Sequence, residues 1–184
     1  MHSKKDAASS PPGTTRAASP ELPVGGVAHL MPGQWHFGRH GTLRTLLGSC
    51  VAITLWHPIK RCGGMCHFLL PNRQHRGTAP LDGRYGDEAV ELMLDSLRRL
   101  GTQPGDYLAH LYGGADTMPD GSQVKFNVGQ RNIEQGWALI DQLGFQLQDV
   151  DVGDNVPRTV SLNLDTGQVE VKRGQPTVPG AARR

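Results

Sequence analysis

Short apolar runs separated by turn residues predict that the first half of the chain is rich in β-strands. The runs cover residues 27–31, 42–47, 51–56 and 63–70, and the third is mostly β-branched or aliphatic. A His-Pro pair and further polar residues stand between the third run and the fourth, which predicts a β-hairpin. Residues 72–84 are polar and predict a loop.

Two segments of the second half have the apolar spacing of helices. Between residues 87 and 100 the apolar side chains recur roughly every three or four positions, and Gly101 follows as a stop signal. Residues 129–143 repeat this pattern, and Gly144 supplies a C-cap. In this second helix we expect the buried apolar face to consist of Ile133, Trp137 and Ile140, with Leu143 as a further candidate.

The remaining apolar segments of the second half predict strands. They cover residues 107–112, 145–150, 158–164 and 168–172. The last two are joined by Asp165-Thr166-Gly167, which suits a hairpin turn. Strands therefore outnumber helices, and the predicted fold class is α/β or α+β, with layered mixed or antiparallel β-sheets flanked by helices.

Composition divides the chain into an arm, a domain and a tail. Residues 1–24 are rich in Ser, Ala, Pro and Gly without an apolar period, so we expect a disordered arm, and 174–184 suggest a disordered tail. The segment between them, residues 25–173, suits one domain. With 24 glycines and 13 prolines among 184 residues, this domain should contain many turns.

The net charge of +2 lies in the terminal segments rather than in the domain. Residues 1–24 carry +1 and residues 172–184 carry +4, which leaves −3 on residues 25–171. A basic surface that binds nucleic acid would need its positive charge on the folded part of the chain. We therefore expect no nucleic-acid partner.

Apolar runs and cysteines indicate the compartment. No run approaches the ~18 apolar residues of a membrane span, and the N-terminus lacks the apolar core of a secretory signal. The three cysteines, Cys50, Cys62 and Cys66, are an odd number, which argues against a disulfide framework. We expect a cytoplasmic protein with reduced thiols and no membrane insertion.

The hairpin brings one cysteine close to a histidine. If residues 57–60 form its loop, Trp56 faces Arg61, and Cys50 faces His67. Side chains directly opposite on one face of a hairpin lie about 4.5–5.5 Å apart at Cβ. An imidazole that removes the thiol proton creates an attacking thiolate, so the pair is a candidate catalytic site.

The turn before Cys50 could assist such chemistry. Backbone N–H groups near Gly48 and Ser49 are candidate donors for an oxyanion. The competing interpretation is structural, because a single cysteine is more often a small buried apolar residue and a single histidine is more often part of the core. Arg131 and Asn132 are further candidates, for lining a substrate groove.

Metal binding is a weaker alternative for the same residues. Cys62, Cys66, His67 and His75 include ligand types that zinc prefers, but Cys66 and His67 should point to opposite faces of one strand. His36 and His40 have helical spacing, yet glycines surround them, so we interpret both as surface or loop residues.

Several motifs together resemble one known family, the CheD chemoreceptor glutamine deamidases of bacterial chemotaxis. The likeness covers residues 25 to 173 in order, and the matching motifs are LGSCVAI (47–53), GGMCHFLLP (63–71), YGGA (112–115), NVGQRN (127–132) and DVGD (151–154). The interval of 17 residues between Cys50 and His67 is also that of the family.

The resemblance implies a cysteine hydrolase that converts glutamine side chains of methyl-accepting chemotaxis receptors to glutamate. It implies a layered fold similar to the catalytic domain of cytotoxic necrotizing factor toxins, with no cofactor and no metal. A glutamyl methyl ester is a second substrate class by the same chemistry. The alternative is a non-catalytic adaptor that binds receptors or a CheC-type phosphatase, and that phosphatase is also an expected partner of the enzyme.

The resemblance also implies roles for individual residues. Cys50 is the nucleophile and His67 the base, and the family's third catalytic residue is a threonine shortly before the cysteine motif. The ungapped position here is Arg44, and we assign the role to the adjacent Thr45, with Thr42 as the alternative.

Overall fold

The computed structural model describes residues 19–116 and 127–176, which form nine strands and two α-helices. The larger of their two sheets has the order β2-β5-β4-β6-β7. Its strands are β2 (Trp35–Gly38), β4 (Val51–His57), β5 (Cys62–Phe68), β6 (Leu108–Gly113) and β7 (Gln146–Val152). The smaller sheet has the order β1-β3-β8-β9. Its strands are β1 (Val27–His29), β3 (Thr42–Leu47), β8 (Arg158–Asn163) and β9 (Val169–Arg173).

Both sheets are mixed, which confirms the predicted fold class. Neighbouring strands are antiparallel except for the pairs β1–β3 and β6–β7, which are parallel. The helices are α1 (Gly86–Arg99) and α2 (Val128–Leu143), and α2 provides the crossover that a parallel β6–β7 pair requires.

The hairpin β4–β5 lies in the middle layer and is buried along its whole length. Val51 and Ile53 pack into the apolar core beneath the helices, whereas Ala52 and Met65 pack into a second core between the two sheets. A strand covered on both sides has no solvent face, which is why β4 reads as a continuous apolar run.

Helix α2 confirms its predicted position and most of its predicted face, since Ile140 is buried and Ile133 packs against the core. Trp137, expected in the core, is 48% exposed, and the buried side runs through Asn132, Gly136 and Ile140. Gly136 determines this rotation because it lies against the larger sheet, where an added Cβ would be 2.6 Å from Leu111 Cδ1. A small residue lets the helix approach closely, and the large indole is left outside.

Strand β2 was not predicted, because it is four residues long and ends at a glycine. It pairs with β5, and His36 faces Met65 in the buried interior. The prediction of a surface or loop position for His36 is therefore wrong. His40 does lie at the surface, where its Nδ1 is 2.7 Å from a carboxylate oxygen of Asp165.

The predicted arm and tail lie mostly outside the described residues, which exclude 1–18 and 177–184. Within the arm's last part, Leu22 packs against the core between the sheets. The described part of the chain contains no helix that is long and apolar enough to cross a membrane.

The two faces of β3 provide a test of the core between the sheets. Leu43 is completely buried in it, whereas Leu46 on the opposite face is 67% exposed. We expect Leu43→Ala to lower the free energy of unfolding by about 2–5 kcal/mol. The matched variant Leu46→Ala should change it by less than about 0.5 kcal/mol. Urea unfolding followed by circular dichroism measures both, and equal losses would contradict the layer assignment.

Candidate active site

Cys50 is the last residue of the short loop between β3 and β4. The residues that follow β6 bind this loop through backbone hydrogen bonds. The Gly114 N–H donates to the Cys50 carbonyl oxygen (2.8 Å), and the Ala115 N–H donates to that of Gly48 (2.9 Å). Gly113 has φ +110° and lies so close that a Cβ there would collide with the Cys50 carbonyl. A glycine is therefore required at position 113, where the end of β6 contacts the loop.

The direction of the loop carbonyls determines the direction of its amide hydrogens. In a trans peptide the C=O and the following N–H point in opposite directions, and the described residues contain no cis peptide. The carbonyls of Gly48 and Ser49 accept hydrogen bonds from Ala115 and from the Asn132 side chain. The N–H groups of Ser49 and Cys50 therefore point away from these partners.

His67 lies on β5 and faces the core between the sheets, where it is 1% exposed. It is opposite Ala52, and the hairpin pairs His57 with Cys62. The predicted register, with Cys50 directly opposite His67, is therefore wrong. The loop consists of residues 58–61, with Arg61 at φ +48°, and His57 belongs to the strand.

Cys50 nevertheless lies on the same side of the hairpin as His67. It precedes Ala52 by two residues, and side chains two apart on an extended chain share a face. Its side chain packs against the same core between the sheets to which Ala52 belongs. The thiol and the imidazole are thus diagonal rather than direct neighbours.

Thr45 lies beside His67, from the facing strand β3 of the smaller sheet. The Thr45 hydroxyl donates to the Leu30 carbonyl oxygen (2.7 Å), and Thr45 Oγ1 is 2.7 Å from His67 Nδ1. Because the only hydroxyl hydrogen is used on Leu30, Nδ1 has to carry a hydrogen and donate it to Oγ1. The lone pair of the neutral ring is therefore on Nε2.

The second ring nitrogen of His67 is buried and has no hydrogen-bond partner among the described residues. Burial lowers the pKa of His67 to about 4, although the Leu30 carbonyl partly opposes this. Burial also raises the pKa of the Cys50 thiol. At neutral pH the pair is thus an uncharged thiol and an uncharged imidazole, whose Nε2 can accept a proton.

The other predicted site residues lie in different surroundings. Gly48 and Ser49 are half-buried in the loop, and Arg131 is exposed on α2. Thr42 is on the opposite face of β3 from Thr45, so it does not reach the histidine. Asn132, predicted to line a substrate groove, is completely buried. The sequence prediction also missed the Leu30 carbonyl, since no sequence signal marks a main-chain acceptor of this kind.

The residues of the zinc alternative are not brought together. Cys66 packs into the core beneath the helices, on the opposite side of β5 from His67, and burial raises its pKa to about 12. Cys62 Sγ is 3.9 Å from the Tyr107 hydroxyl. Within residues 19–116 and 127–176, no group of three or more His, Cys, Asp or Glu side chains could hold a metal ion.

The chain is similar to a protein family and to individual proteins whose names agree with one another. Residues 69–173 match the family model described as CheD chemotactic sensory transduction. The chain is 44% identical over 162 residues to the "Probable chemoreceptor glutamine deamidase CheD 1" of Chromobacterium violaceum, covering 86% of this chain and 83% of that protein. It is 43% identical over 154 residues to the "Probable chemoreceptor glutamine deamidase CheD" of Pseudomonas syringae pv. tomato, covering 82% and 91%.

A comparison of folds gives a distant likeness. The crystal structure of YlmD from Geobacillus stearothermophilus is 15% identical, with a TM-score of 0.41, over 65% of this chain and 50% of that one.

The exposure and pKa of the thiols predict selective, pH-dependent labelling. Cys62 and Cys66 are buried, so iodoacetamide should modify Cys50 alone in the native protein. Because its pKa is raised, the rate should rise about tenfold per pH unit from about pH 6 to pH 9 without a plateau. Mass spectrometry after quenching measures this rate, and Cys50→Ser should remain unlabelled. A plateau below about pH 7 would reveal a preformed thiolate and contradict the uncharged resting pair.

Proposed function

The chain belongs to the CheD family of chemotactic sensory transduction proteins, and from this we propose that it is a chemoreceptor glutamine deamidase, an enzyme that hydrolyses glutamine side-chain amides of receptors to glutamate and ammonia. The names of its relatives support the substrate. The observation that carries the chemistry is the unpartnered Nε2 of His67, held in its acceptor form by Thr45 on the face that also carries Cys50.

In the first step of the proposed reaction, the proton of Cys50 Sγ passes to His67 Nε2 as the sulfur attacks the substrate. The sulfur attacks the carboxamide carbon of the glutamine, so that a C–S bond forms and the carbonyl electrons move to oxygen. The imidazolium then protonates the amide nitrogen, the C–N bond breaks, and ammonia leaves a glutamyl thioester. Water, deprotonated by the same Nε2, attacks this thioester, releases glutamate and returns the proton to sulfur.

The amide hydrogens of the Cys50 loop are the proposed donors to the oxyanion. The N–H groups of Ser49 and Cys50 point away from the protein groups that bind the loop carbonyls. Donors that are fixed before the reaction stabilise the developing negative charge without reorganisation. Gly48 supports this arrangement through its carbonyl oxygen, which accepts a hydrogen bond from the Ala115 N–H.

The pKa values of the pair have a consequence for the order of events. A raised thiol pKa and a lowered imidazole pKa make the separated ion pair unfavourable before substrate binds. Proton transfer should therefore accompany the attack on the amide carbon, when the negative charge passes from sulfur to the oxygen and its donors. A reactive thiolate is thus avoided in the free protein.

Two further aspects of the function are proposed by extension. A glutamyl methyl ester gives the same thioester, with methanol in place of ammonia as the leaving group, so it is a second substrate. The three unpaired thiols suit a reducing compartment, which supports a cytoplasmic location. A CheC-type phosphatase partner stays a prediction from the family resemblance.

The first test of the proposal is the conversion itself. The protein is incubated with cytoplasmic fragments of chemoreceptors, and peptide mass spectrometry maps glutamines converted to glutamate. We expect conversion at specific glutamines and no enzymatic conversion by Cys50→Ala. The matched variant Cys62→Ala removes a buried thiol on the helix side and should keep activity within about threefold of wild type. Undiminished conversion by Cys50→Ala would refute the mechanism, and no conversion by the wild type would favour the adaptor function.

The second test concerns Thr45. Valine has nearly the same shape but accepts no hydrogen bond, so Thr45→Val should free the His67 ring to change tautomer and orientation. We expect kcat/KM to fall about 10–100-fold, because general base catalysis depends on the correct lone pair. Thr45→Ser retains the hydroxyl and should stay within about threefold of wild type. Equal activity of the valine and serine variants would contradict the role of the hydroxyl.

A further inference from the structure

Asn132 makes two hydrogen bonds that tie α2 to the active-site segments. Its Nδ2 donates to the carbonyl oxygen of Ser49 (3.1 Å) and to that of Leu69 (2.7 Å). Both acceptors are main-chain oxygens, so they fix which end of the side-chain amide faces them, and both Nδ2 hydrogens are used. The residue is 0% exposed, and its Oδ1 has no partner among the described residues.

The two acceptors belong to the segments that carry the nucleophile and the base. Ser49 directly precedes Cys50, and Leu69 follows the end of β5, two residues after His67. One rigid amide on a helix therefore connects the Cys50 loop to the strand of His67. The helix itself is fixed there by a close approach, since a Cβ at Gly129 would be 2.5 Å from the Gly114 carbonyl oxygen.

The bond to Ser49 acts on one particular peptide plane. The Ser49 carbonyl and the Cys50 N–H belong to the same trans peptide and point in opposite directions. Holding the oxygen toward the interior therefore holds the N–H of Cys50 outward. Without this bond the peptide could rotate, and the amide hydrogen would no longer have a fixed direction.

From these contacts we propose that Asn132 is a positioning residue for the oxyanion donor of the reaction. It touches no substrate and acts through the peptide between Ser49 and Cys50, whose N–H it directs toward the developing oxyanion. The inference rests on the proposed function and adds to it a residue behind the site. The side chain makes its hydrogen bonds through Nδ2 alone, since Oδ1 has no partner among the described residues.

The test compares two reactions of the same cysteine. Deamidation forms an oxyanion and needs the Cys50 N–H, whereas iodoacetamide reacts at a saturated carbon by displacement of iodide and forms none. Asn132→Leu removes both donors at similar volume, and Asn132→Ala removes them in a smaller side chain should the leucine variant fail to fold. Gln142→Ala, at an exposed position of the same helix, is the matched control.

We expect kcat for a receptor fragment to fall about 10–100-fold in the Asn132 variants, somewhat less than the loss of a whole oxyanion donor. KM and the rate of Cys50 alkylation should stay within about threefold of wild type, and Gln142→Ala should match wild type in all three. An unchanged kcat would overturn the proposal, as would a proportional fall of kcat and alkylation. No turnover by the wild type would instead count against the proposed function itself.

Discussion

The burial of the β4–β5 hairpin on both faces is the constraint from which the site follows. In a hairpin enclosed between helices and a second sheet, a buried polar side chain needs a hydrogen-bond partner from a neighbouring element. One ring nitrogen of His67, Nδ1, has such a partner in the Thr45 hydroxyl, which itself donates to the Leu30 carbonyl. The orientation of the His67 ring therefore depends on how the two sheets are stacked.

The second ring nitrogen of His67, Nε2, has no hydrogen-bond partner among the described residues. A buried polar atom without a partner costs about 1–3 kcal/mol, and the surrounding apolar layers have to offset this. Such departures from a satisfied core concentrate at functional sites, where the missing partner is supplied by the reaction. Here the missing hydrogen is the one that Cys50 would deliver, which links the local instability to the chemistry.

The sequence predicted the hairpin and the face of its key residues better than their register. With His57 in the turn, the predicted pairing differs from the observed pairing by two positions, and a shift of two preserves which side chains share a face. The prediction therefore gives the correct shared face for Cys50 and His67, although its register is wrong. The exposure of Trp137 on α2 could not be predicted in the same way, because Gly136, rather than this large side chain, lies closest to the sheet.

The two sides of the larger sheet contribute different parts of the site. From the side of the smaller sheet, Thr45 fixes the tautomer of His67. From the helix side, Asn132 holds the carbonyl of the peptide between Ser49 and Cys50. Thr45 and Asn132 lie far apart in the sequence. Thr45 acts on the ring of His67, whereas Asn132 acts on the backbone before Cys50. A change in the packing of one layer should therefore affect proton transfer, and a change in the other should affect stabilisation of the oxyanion.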